Sequence, residues 1–144
     1  MGKVFAKNPQ TAEERKNCES CHGPGSLHVD AAGEAVETII TFRKGAEPVE
    51  VQNAKCMGAC HTKDVKQMFW ESGVHEARGV ACIDCHSTHN PQTAKAILTR
   101  PSVTETCNAC HVEMKRHLYE RSTHPVKEGK MSCTSCHNPH GSQA

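Results

Sequence analysis

The chain has 144 residues, a formal charge of +1 and a mean hydropathy of −0.61, with only 3% aromatic residues. Such a composition excludes an ordinary apolar core, because a chain this poor in large apolar side chains needs covalent or metal staples to hold a fold. It also excludes a bilayer-spanning segment, since the best apolar run, Thr38–Phe42, is only strand-sized.

In chain order, Met1–Lys7 carries charge but no apolar stretch, so it is no secretory signal. Thr11-Ala-Glu-Glu14 reads as a capping box opening a short helix just before Cys18. Gly23-Pro-Gly25 marks a turn, and Thr38–Phe42 is at most a marginal strand. A helix is expected to start near Pro48 and carry Cys56. Pro101-Ser-Val-Thr-Glu105 holds a second capping box just before Cys107. Asn90-Pro91 and Asn138-Pro139 mark loops between these pieces.

The ten cysteines and eleven histidines are the staples on offer, and they are ordered. The cysteines fall into five pairs, each followed at once by histidine: Cys18, Cys21 and His22; Cys56, Cys60 and His61; Cys82, Cys85 and His86; Cys107, Cys110 and His111; Cys133, Cys136 and His137. Four are C-x-x-C-H, the c-type haem attachment motif. One helical turn sets two thiols on a common face, where they form thioethers with the porphyrin vinyls, and the next residue brings an imidazole under the iron. Zinc sites and disulfides also use paired cysteines, but neither demands a histidine after every pair. The second motif has three residues, Met57-Gly-Ala59, between its cysteines, an insert that can bulge without moving the thiols far. The expectation is five haem c groups with His22, His61, His86, His111 and His137 as proximal ligands.

Six histidines remain for five distal positions: His28, His75, His89, His117, His124 and His140. An internal repeat of 56–91 in 107–141 sorts them. Cys56 and Cys107, Cys82 and Cys133, and His89 and His140 are each 51 residues apart, and Trp70-x4-His75 recurs as Tyr119-x4-His124. His117 falls opposite Met68, so it is assigned to the surface or to packing. The distal set is therefore His28, His75, His89, His124 and His140. His28, His89 and His140 follow their proximal partners too closely to reach the far face of the same porphyrin, so each is expected to serve a neighbouring haem. Met57, Met68, Met114 and Met131 are potential thioether ligands made unnecessary by this count.

The expected fold is mostly α and irregular, an extended multihaem cytochrome c with little or no β-sheet whose core is the haem stack. Residues 1–144 form a single pentahaem domain with the two-haem repeat inside it. Without haem the chain should not fold, because the porphyrins supply most of the apolar surface. Haem propionates, offset by one positive charge at each ferric centre, shift the formal charge of +1 to about −4 in the oxidised state, which disfavours nucleic acid as a partner. Covalent haem attachment takes place outside the cytoplasmic membrane, so a periplasmic or extracellular site is expected, with the export signal absent from this sequence.

Cys18-Glu-Ser-Cys-His-Gly-Pro-Gly25, Ile40-Thr-Phe42, Gln52-Asn53, Val80-Ala-Cys-Ile-Asp-Cys-His86, Ser122-Thr-His-Pro125 and Met131-Ser-Cys-Thr-Ser-Cys-His-Asn-Pro-His-Gly-Ser142 resemble the MtrA/DmsE-type cytochromes. The resemblance covers nearly the whole chain. It implies a periplasmic electron wire of bis-histidine haems, with His28, His75, His89, His124 and His140 matching distal ligands. It also implies redox partners: a quinol-oxidising donor, a terminal reductase or an outer-membrane porin–cytochrome complex. The haem number is about half that family's and is similar to the NrfB-type periplasmic donors. The leading reading is therefore an electron-transfer protein and not an enzyme. The alternatives are a reductase with one open haem, or a subunit of an extracellular filament associating through its end haems. A pentahaem nitrite reductase would carry a C-x-x-C-K motif, which this sequence lacks.

Overall fold

The computed structural model describes residues 18–59, 61 and 67–141. The expected capping box at Thr11–Glu14, Cys60 and Ser142 lie outside the described residues. Among those described there are seven short helices: α1 (Cys18–His22), α2 (Ser26–Asp30), α3 (Val49–Ala59), α4 (Val74–Ala77), α5 (Cys82–Cys85), α6 (Val103–Asn108) and α7 (Val112–His117). Three 3₁₀ turns, Val36–Thr38, Trp70–Ser72 and Cys133–Ser135, complete the regular structure. The mostly α and irregular fold expected from sequence is what is found. No described helix is long and apolar enough to cross a membrane.

The helices stop early because the sequence punctuates them. At α6, Ser102 Oγ accepts from the Glu105 N–H at 3.1 Å and donates to Glu105 Oε2 at 2.9 Å, so the anticipated cap forms. Helix α3 begins after Pro48, whose carbonyl accepts from the Val51 and Gln52 N–H groups, and it carries Cys56 as expected. The Thr38–Phe42 run forms no strand. Its extended backbone at Ile40 instead donates N–H to the His22 carbonyl at 2.8 Å.

Among the described residues the buried apolar ones are only Trp70, Ala81 and Leu98, and no large side chain is fully enclosed. Val51, Met68, Val74, Val112, Met114 and Tyr119 are all exposed. A polypeptide with this little core cannot offset its chain entropy alone. Val74 and Val112 adjoin His75 and His111 in the sequence. Polar contacts carry what packing the protein itself provides. Buried Asn53 on α3 donates to the Val80 carbonyl at 3.2 Å and accepts from the Cys82 N–H at 2.9 Å, fastening α5 to α3. Asn53→Ala leaves the Cys82 N–H and the Val80 carbonyl unpaired and should cost about 1–3 kcal/mol, read as a lowered urea midpoint of the haem-loaded protein.

Candidate haem-binding sites

Three of the attachment motifs close with the same backbone bond. The N–H of His86, His111 and His137 returns to the carbonyl of the first cysteine of its motif, Cys82, Cys107 and Cys133, at 2.9, 3.0 and 2.9 Å. That single turn brings the two sulfurs and the imidazole to one side of the backbone. In the second motif the extra residue is absorbed by a wider turn: the His61 N–H reaches the Cys56 carbonyl at 3.1 Å, five residues back instead of four. The histidine thus keeps its anchor on the first cysteine despite the extra residue.

None of the described cysteines is in a disulfide. Their sulfurs meet between motifs. A side-chain hydrogen bond joins Cys56 to Cys82, holding the Cys56 thiol down to about 7 and pushing Cys82 up. Burial pushes Cys107 up to about 11, with nearby Cys133 adding to it. Cys85 is raised by burial, then by Asp84 and Cys110. These are properties of free thiols and vanish when the sulfurs become thioethers. What carries over is position: Cys56 beside Cys82 and Cys107 beside Cys133 echo the 51-residue repeat. Helix contacts agree, with α1 against α3, α3 against α5, and α6 against the Cys133–Ser135 turn. Consecutive motifs therefore lie side by side in chain order.

Four histidines have their Nδ1 tied to a backbone carbonyl. His22 donates to Ile40 O at 2.6 Å, His86 to Ala96 O at 2.7 Å, His75 to Pro139 O at 2.8 Å and His28 to Ala35 O at 3.2 Å. A carbonyl accepts only, so Nδ1 carries the proton and Nε2 keeps its lone pair for a metal. The loop serving His86 is bent to aim its carbonyl: Ala96 and Ile97 take φ of 63° and 43°, the left-handed region that a β-branched residue rarely enters. Ser87 N–H to Ile97 O at 2.7 Å and Thr99 N–H to Cys85 O at 2.9 Å hold that loop against the motif.

The histidine rings then come in facing pairs. His22 and His89 have ring centres 6.0 Å apart, His75 and His111 6.1 Å, and His86 and His140 5.9 Å. Two imidazoles sharing one metal need two metal–nitrogen bonds of roughly 2 Å plus the reach from each nitrogen to its ring centre, which fills such a gap. Each pair joins one proximal histidine to one distal candidate from a different motif. No three His, Cys, Asp or Glu side chains gather as a zinc site among the described residues. Haem c fits the donor set: paired sulfurs on one turn, an imidazole beside them, and a second imidazole opposite.

Two crossing segments hold these pairs in place. Phe69–His75 lies across Pro139–Gly141, so that His75 bonds Pro139 while Trp70 packs on the His140 ring at 6.2 Å. Gly141 has φ +97°, and a Cβ there would collide with the Phe69 carbonyl.

Residues 18–102 match the family described as cytochrome c-type protein NrfB-like. The chain belongs to the NrfB-like c-type cytochromes. Residues 74–144 of this NrfB-like cytochrome also match the family described as cytochrome c3. The multiheme cytochrome MtrA of Shewanella baltica (strain OS185) is 39% identical over 126 residues, which cover 87% of this chain and 36% of that protein. The chain thus spans about a third of that relative's length. The multihaem resemblance seen in the sequence holds.

Sequence reasoning missed the carbonyl acceptors at Ile40, Ala96 and Pro139, which carry no side-chain signal. His117, set aside as a surface residue, donates from Nδ1 to Glu120 Oε1 at 2.7 Å on an exposed face. His117→Ala should leave the haem spectra unchanged and alter stability by no more than about 1 kcal/mol in a urea titration, since exposed pairs contribute little.

Proposed function

We propose that this NrfB-like cytochrome is a single-domain electron wire of five haem c groups, each held between two histidines, and that it performs no substrate chemistry of its own. Each haem supplies a one-electron Fe(III)/Fe(II) couple when bound. The chain's own residues attach it, tune it and keep it near the next one. The observation that carries the reading is the set of three histidine pairs 5.9–6.1 Å apart, each with a proximal residue on one side. His89 is the distal ligand for the motif of Cys18, Cys21 and His22. His140 serves Cys82, Cys85 and His86, and His75 serves Cys107, Cys110 and His111. His28 and His124 complete the distal set for His61, with Cys56 and Cys60, and for His137, with Cys133 and Cys136.

A saturated iron has no position for substrate, so potential is set by axial ligand, burial and hydrogen bonding to the histidines. Side-by-side motifs keep porphyrin edges close enough for electrons to pass in chain order. The partners are redox proteins docking transiently at exposed haem edges: a quinol-oxidising donor, a terminal reductase or an outer-membrane porin–cytochrome complex. Covalent attachment places the protein in the periplasm or outside the cell.

A reductive titration followed by haem absorbance, normalised to a pyridine haemochromogen count, tests this. Five electron equivalents per chain are expected, with no catalytic reoxidation by nitrite. Fewer equivalents, or steady turnover of nitrite, would contradict it.

A further inference from the structure

Of the three facing pairs, the one at His86 and His140 is served by a loop that runs against its own backbone preferences. Ala96 and Ile97 are consecutive residues with φ of 63° and 43°, a conformation in which Cβ crowds the following carbonyl. One such alanine is uncommon, and a β-branched neighbour beside it is costly. Left to itself the pair would relax to negative φ. That change would swing the Ala96 carbonyl, which accepts the His86 Nδ1 proton at 2.7 Å, away from the ring.

One hydroxyl spans the strained pair. Thr93 Oγ1 donates to the carbonyl of Lys95, the residue directly before Ala96, at 2.7 Å. It accepts at 2.9 Å from the N–H of Leu98, the residue directly after Ile97. The Gln92 N–H to Leu98 carbonyl bond at 2.8 Å closes the loop outside these two. Leu98 is buried and pairs with His86 in an antiparallel bridge. Thr99 then fastens the chain to the Cys85 carbonyl through its N–H at 2.9 Å and its hydroxyl at 3.3 Å. The ends of the loop are thus fixed to the attachment motif, and Thr93 fixes its middle. The brace has to be a hydroxyl, because it donates on one side and accepts on the other; valine has the same shape and does neither.

Resting on the reading of a haem c held between His86 and His140, we propose that Thr93 is a positioning residue that keeps the potential of that haem low. It braces Ala96 and Ile97 so that the Ala96 carbonyl stays on His86. A fixed carbonyl drawing on the Nδ1 proton makes Nε2 a stronger donor to the iron, which favours the ferric state. The bond lies at an exposed edge, where water would accept the same proton once the carbonyl had moved. Water is not held in place there, so the pull on the ring would weaken and the ferrous state would gain.

The test is a redox titration of the holoprotein followed by NMR of the individual haem methyl groups, which reads one potential at a time. The signals missing from Cys82→Ser/Cys85→Ser identify the haem concerned. Thr93→Val should raise its midpoint, changing its Fe(III)/Fe(II) ratio at a fixed ambient potential by about two- to fivefold, the scale of one ordinary hydrogen bond. The other haems should keep their midpoints, and every iron should stay low-spin. Thr93→Ser, which keeps the hydroxyl, should titrate like the wild type. In the reduced wild type the His86 Nδ1 proton should exchange slowly with solvent, a measurement that needs no variant to fold. An unmoved midpoint in Thr93→Val, an equal shift at every haem, a Thr93→Ser that shifts as far as Thr93→Val, or a rapidly exchanging His86 proton in the wild type overturns the proposal. A wild type with no haem at Cys82 and Cys85, or with a high-spin iron there, overturns the underlying reading instead.

Discussion

Replacing His140 with alanine should turn one iron high-spin, and that iron should belong to Cys82, Cys85 and His86, although His140 sits in the motif of Cys133 and Cys136. The His140 ring lies 5.9 Å from His86 at 13° between planes. In a Cys82→Ser/Cys85→Ser background, which carries one haem fewer, the same replacement should therefore create no new high-spin signal. EPR of the two backgrounds makes the comparison directly. A high-spin iron in both would assign His140 elsewhere. His140→Met should instead keep that iron six-coordinate and raise its potential in a spectroelectrochemical titration, since thioether ligation favours the ferrous state.

Gly141→Ala is the second large effect, because one methyl group disturbs two ligands. The residue sits at φ +97°, costly for any side chain, and the added Cβ meets the Phe69 carbonyl. Relief requires Phe69–His75 and Pro139–Gly141 to separate. That movement breaks the His75 bond to Pro139 and lifts His140 from Trp70. The expected result is a loss of about 2–4 kcal/mol in urea denaturation. High-spin character should appear at the irons of His86 and His111 together. A variant as stable as the wild type, with all irons low-spin, would show that the crossing does not hold the ligands.

The candidate attachment motifs were legible in the sequence because the chemistry they imply is local. Two sulfurs and an imidazole must sit on one turn, so spacing alone singles out Cys18, Cys21 and His22 and their four counterparts as candidates. The distal candidates were legible by counting and by the repeat. Their partners were not, because His22 and His89 are brought together by loops whose path depends on single carbonyls such as Ile40 O and Ala96 O. Thr38–Phe42 has the composition of a strand, yet one residue of it is used as a clamp on His22. Asn53 looked like any polar residue on a helix, and only its contacts with Val80 and Cys82 reveal it as the link between two motifs. The wide turn at His61 was foreseeable as a bulge, but the preserved bond to Cys56 that makes it harmless is a backbone property no side chain announces.

The facing histidine pairs are the centre of the account, and low-temperature EPR of the fully oxidised holoprotein, scaled to its haem count, tests them most directly. All five irons should be low-spin, among them the three that the facing pairs close. A high-spin fraction above two-fifths would mean that at least one of His89, His75 and His140 does not close the site facing His22, His111 or His86, and would contradict the account.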